Sequence, residues 1–85
     1  MAYYNLGNIL REQGDFEAAI KHYQTAIRLK PEIEVALMHN NLGIAFIGQG
    51  NNEAAAREFR IALDLDPDYE AARRNLEMLL SGRGR

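Results

Sequence analysis

The chain of 85 residues contains no cysteine. Disulfides and thiolate metal sites are thereby excluded, and a reducing compartment is permitted. It has no dense run of lysine or arginine, and its formal net charge is −2. Arg60, Arg73, Arg74, Arg83 and Arg85 are too scattered to make a phosphate-binding patch. Nucleic acid and anionic membranes are therefore not expected as partners. No apolar run approaches the length of a membrane span. The start, Met1-Ala2-Tyr3-Tyr4, has neither the basic region nor the apolar core of a signal peptide. It enters a helical pattern at once, as at a repeat boundary, and the expected compartment is the cytoplasm.

Catalytic and metal-binding patterns are also missing. Asp64-x-Asp66-x-Asp68 opens like a calcium loop, but Tyr69 holds the glycine position and Asn75 the closing glutamate position. Gly48-Gln49-Gly50-Asn51-Asn52 is not followed by the Lys-Ser or Lys-Thr of a phosphate loop. His22 and His39 have no carboxylate or second histidine at ligand spacing and are read as surface and packing residues. No nucleophile, base and orienting group form a set. Neither an enzyme nor a cofactor is expected.

What is present is a folded composition, 47% hydrophobic and 26% charged, in a length that suits a single domain. The chain also repeats itself. Leu6-Gly7, Gly14, Ala19, Tyr23, Ala26, Leu29 and Pro31 find Leu42-Gly43, Gly50, Ala55, Phe59, Ala62, Leu65 and Pro67, each thirty-six residues later. A third start follows, with Asn75-Leu76 where Asn5-Leu6 and Asn41-Leu42 stood.

Within each unit the period is helical. Tyr3, Leu6, Gly7 and Leu10 form one stripe, directed at a partner helix. Gln13-Gly14-Asp15 breaks it, and Asp15 suits an N-cap. Phe16, Ala19, Ile20, Tyr23, Ala26 and Ile27 form a second stripe, ended at Lys30-Pro31. The second unit follows suit through His39, Leu42, Gly43 and Phe46, then Ala55, Phe59, Ala62 and Leu63. A last helix is expected from about Asp68, as its cap, to Leu80, followed by a frayed tail at 81–85.

These residues resemble the tetratricopeptide repeat, whose pattern is an aromatic, Leu-Gly, a large residue, alanine, an aromatic and a closing proline. The resemblance covers nearly the whole chain. It implies an all-α fold of five helices, with antiparallel helix-turn-helix repeats stacked as a short right-handed solenoid. Unit one is 1–31, unit two 32–67, and the capping helix 68–80, all in one domain of 1–85. The family period is thirty-four, so two extra residues fall within 32–41, in the loop or at the start of the third helix. His39 replaces a large aromatic and should pack less well. Glu77 replaces the third glycine and should face water, where no further helix covers it.

At 100° per residue, the face opposite the first stripe carries Met1, Asn5, Asn8 and Glu12, flanked by Tyr4 and Arg11. On the third helix it carries Leu37, Asn41, Ile44 and Gly48, flanked by Asn40 and Ile47. On the last it carries Ala71, Asn75 and Met78, flanked by Arg74. Stacked first helices line a concave groove, and an asparagine amide suits an extended peptide backbone. Asn5, Asn41 and Asn75 thus resemble the asparagine ladder in the tetratricopeptide domain of O-linked N-acetylglucosamine transferases. The basic clamp of chaperone-binding members fits less: Asn8 and Asn41 agree, but Tyr4, Ala71 and Asn75 stand where its cations belong. The expected peptide-binding set is Tyr4, Asn5, Asn8, Asn41, Ile44, Arg74 and Asn75, with Ile44 and Ile47 favouring an apolar ligand side chain.

Two functions fit. One is a protein-interaction module that binds an extended peptide of a partner. The other is a self-assembling or engineered repeat in which the apolar segment 32–41, with Ile33, Val35, Leu37 and Met38, straightens and exchanges a hairpin between two chains.

Overall fold

The computed structural model describes residues 2–29 and 35–82. Among them are five α-helices and no strand: α1 (Ala2–Glu12), α2 (Phe16–Leu29), α3 (Val35–Gly48), α4 (Asn52–Leu65) and α5 (Glu70–Gly82). The Lys30-Pro31 stop and Ile33 lie outside the described residues.

The two hairpin turns are copies of each other. Gly14 and Gly50 adopt φ of 87° and 82°, a region that a side chain disfavours. Around each, two backbone bonds close the preceding helix: Gly14 N to Arg11 O and Asp15 N to Leu10 O, then Gly50 N to Ile47 O and Asn51 N to Phe46 O. This pairing satisfies the last carbonyls of α1 and α3. The next residue opens the following helix. Asp15 Oδ1 accepts from Ala18 N, and Asn51 Oδ1 from Ala54 N.

Each hairpin closes on a ring laid over a glycine. A Cβ on Gly7 would stand 2.8 Å from Tyr23, and one on Gly43 would stand 2.6 Å from Phe59. Tyr23, Phe59, Ala19, Ala26, Ala55 and Ala62 are all buried. Small residues let the backbones approach, and the ring fills what remains. His39 does not leave a gap; its Nδ1 lies 2.6 Å from Glu58 Oε1 on α4, a polar tie where a packed aromatic was expected.

The units join through α3, which packs on both α2 and α4, while α5 closes on α4. Leu42 and Ala45 sit in one buried cluster with Ala19, Ile20 and Tyr23. Leu6, expected on the buried stripe, is 41% exposed, whereas Leu42 at the same register is 3% exposed. The difference arises because α2 covers this face of α3, and no described helix covers it on α1.

Both ends of the last helix differ from expectation. The last helix begins at Glu70 rather than Asp68, because Asp66 takes Tyr69 N and Asp68 N in a turn. It continues through Ser81 and Gly82, so part of the expected tail is helical. Val35 to Asn41, the described part of the apolar segment, form the first turns of α3, with Met38 buried. From Ala36 onward α3 and α5 keep one register, which places the extra pair ahead of Ala36. Glu77 is exposed, as expected. The smallest dimension, 15 Å, matches two helix layers: axes about 9 Å apart plus a backbone radius of about 2.3 Å on each side.

Candidate functional site

The first helices of the units lie side by side, tied by one bond made twice. Asn41 Nδ2 on α3 donates to Tyr4 Oη on α1 at 2.6 Å, and Asn75 Nδ2 on α5 donates to Asn40 Oδ1 on α3 at 3.0 Å. Tyr4 and Asn40 share a register, as do Asn41 and Asn75. Each asparagine therefore spends a donor on the unit before it. The three equivalent asparagines part company: Asn5 is exposed, Asn75 half-buried and Asn41 buried.

Tyr4 is a junction as well as a surface residue. Its ring packs on Tyr23, with centroids 6.0 Å apart and planes tilted by 47°. Tyr69, expected in the first turn of the last helix but lying just ahead of α5, joins the same region. Burial raises its phenol pKa first, the nearby Tyr4 adds to this, and a hydrogen bond with Asn40 opposes it. Tyr4 with Asn41, and Asn40 with Asn75 beside Tyr69, thus make two neutral polar junctions, one between α1 and α3 and one between α3 and α5.

A second network pins Asn8 and Arg11 on α1. Arg11 Nε donates to Tyr23 Oη at 3.0 Å, and that hydroxyl donates to Asn8 Oδ1. Burial lifts the Tyr23 phenol above its ordinary value, with Arg11 pulling the other way, so the hydroxyl keeps its proton at neutral pH. Thirty-six residues later all three partners change together, to Ile44, Ile47 and Phe59. The face accordingly passes from polar on α1 to aliphatic on α3, where Ile44 is half-buried and Ile47 39% exposed, and on to Met78 on α5, 64% exposed. This joint change was the sequence signal that would have added Arg11 to the candidate set.

Of the other expected site residues, Arg74 is exposed and sits 3.7 Å from Glu70 one turn earlier, a contact of little energetic weight. Gly48 is exposed, and the Phe16 ring of α2 occupies the place where a side chain on it would stand. Among the described residues no group of three or more His, Asp or Glu side chains is placed to hold a metal, and no helix is long and apolar enough to cross a membrane. The surface of the first helices thus carries amides and phenols beside an aliphatic strip.

A family model described as "Tetratricopeptide repeat" matches residues 1–33, and a second model of the same description matches residues 36–69. No curated protein matches the chain.

Proposed function

The chain belongs to the tetratricopeptide repeat family, whose repeats generally mediate protein–protein contacts and are usually non-catalytic, and on that premise we propose that it holds an extended segment of a partner protein across α1, α3 and α5. The observation that carries this reading is the repeated tie between first helices. It makes their common face continuous over three helices. With helix axes about 9 Å apart and about 3.3 Å per residue in an extended chain, roughly six residues would cross it. Asn5, Asn8, Tyr4 and the second amide hydrogens of Asn41 and Asn75 supply hydrogen bonds to backbone; Ile44 takes an apolar side chain; Arg74 borders the far end.

Selection from a random peptide library tests it, with captured peptides titrated against the native chain and an Asn5→Ala, Ile44→Ser variant. Both positions are off the core, so the variant keeps its fold. Loss of binding of about tenfold or more supports the groove; captured peptides that bind the variant equally well overturn it.

A second reading, self-association, has its own observation. Leu6 and Ile9 are 41% and 50% exposed, one helical turn apart on α1. Light scattering across a concentration series separates the two. A constant monomer mass leaves the peptide reading alone, and a dimer disrupted by Ile9→Lys favours assembly through α1.

A further inference from the structure

We propose that Arg11, held in place by Tyr23 and seconded by Asn8, is an anion anchor that selects partner segments carrying an acidic side chain about three residues from an aliphatic one. This rests on the groove reading above and adds the chemistry of the ligand.

The argument starts from hydrogen-bond polarity. The Tyr23 hydroxyl takes the Nε proton of Arg11 and gives its own proton to Asn8 Oδ1. The acceptor oxygen of Asn8 is thus engaged inward. What the pair has left to offer a ligand is donors: the amide NH2 of Asn8 and the terminal NH2 groups of the guanidinium. Adjacent donors on a fixed, charged group suit a carboxylate, which accepts on two oxygens. Pinning Nε also removes part of the rotamer freedom that a surface arginine would lose on binding.

Arg11 is half-buried, so the carboxylate that reaches it must stand off from the peptide backbone. A glutamate does so on its two methylenes, and we therefore assign the anion to a side chain rather than to a chain end. One helix further on, the same registers hold Ile44 and Ile47. The step from α1 to α3, about 9 Å, is spanned by about three extended residues. The ligand is thus read as acid first, aliphatic next, along the direction from α1 to α3.

The probes are fluorescein-labelled, C-terminally amidated peptides of serine and glycine with one glutamate and one leucine three residues apart, made in both chain directions. Each has a glutamine twin, and a third version replaces the glutamate by a free C-terminal carboxylate. Anisotropy titrations follow on the native chain, Arg11→Ile and Tyr23→Phe. These substitutions copy residues that unit two already carries at the same registers, Ile47 and Phe59, so the fold tolerates them.

In at least one direction the glutamate peptide is expected to bind the native chain about tenfold more tightly than its twin, as a charge-assisted bond requires. Arg11→Ile erases that ratio and leaves the glutamine peptide unchanged. Tyr23→Phe, acting through Arg11, lowers the ratio without weakening the glutamine peptide, which general loss of structure would not do. Equal binding of the twins overturns the anchor while the groove stands. So does an Arg11→Ile effect shared by both twins. If the terminal carboxylate binds as well as glutamate, the side-chain assignment falls. No binding by any probe also overturns the anchor, and the library selection then decides the groove separately.

Discussion

At the scale of single residues, the protein depends on contacts that leave no room for a methyl group. Gly7 and Gly43 lie beneath Tyr23 and Phe59, so Gly43→Ala must push the Phe59 ring out of a closed pocket. Overpacking of this kind costs about 1–3 kcal/mol. Gly82 has nothing within 4 Å of a new Cβ, and Gly82→Ala is expected to be neutral or slightly stabilising. Urea unfolding of the two variants measures the contrast. Tyr23 adds a pH dependence. Its phenol is buried and titrates above the ordinary value of 10.0. The native state therefore keeps a proton that the unfolded chain gives up, and stability falls as pH rises past 10. Tyr23→Phe loses about 1 kcal/mol of hydrogen bonding at neutral pH. It should also show a shallower alkaline decline than the native chain in urea unfolding at pH 8 and 10.5; Tyr69, raised in the same sense, keeps the decline from vanishing.

At the scale of helices, equivalent positions do different work. Asn41 is buried and donates to Tyr4, whereas Asn5 is exposed. Asn41→Ala removes the tie between α1 and α3 and leaves the Tyr4 hydroxyl one partner short, an expected loss of about 1–2 kcal/mol. Asn5→Ala should stay within about 0.5 kcal/mol. Thermal unfolding distinguishes them: a clear fall in Tm for the first and almost none for the second. Equal effects would mean that the inter-helix bond contributes nothing. The result also bears on peptide capture, because an asparagine engaged in the stack has only part of its amide left for a ligand.

At the scale of the molecule, stacking decides which motif residues form the core. Leu42 is packed by α2, and Leu6 has no described helix over it. Leu42→Ala is expected to cost about 2–5 kcal/mol, the range for a buried leucine. Leu6→Ala, at the same motif position, should cost less than about 1 kcal/mol. Denaturant midpoints of the two variants read this directly, and similar losses would show that the α1 face is covered in solution.

The amino-acid sequence determined the repeat, the helix count, the two glycine turns with their capping residues, and the small-residue and ring positions within each hairpin. These are local, and they follow from a period of 3.6 residues, from left-handed backbone that glycine adopts, and from side-chain size. It also placed Tyr4, Asn5, Asn8, Asn41, Ile44, Arg74 and Asn75 on one phase of the first helices. Only the tertiary structure separated Leu6 from Leu42, turned Asn41 and Asn75 toward neighbouring helices, brought Tyr69 to Asn40, paired His39 with Glu58, and joined Arg11 to Tyr23 and Asn8. The physical reason is that burial and hydrogen bonding depend on which helix lies opposite. A motif position states which way a side chain points along its own helix, and the neighbour that meets it is set by the stack.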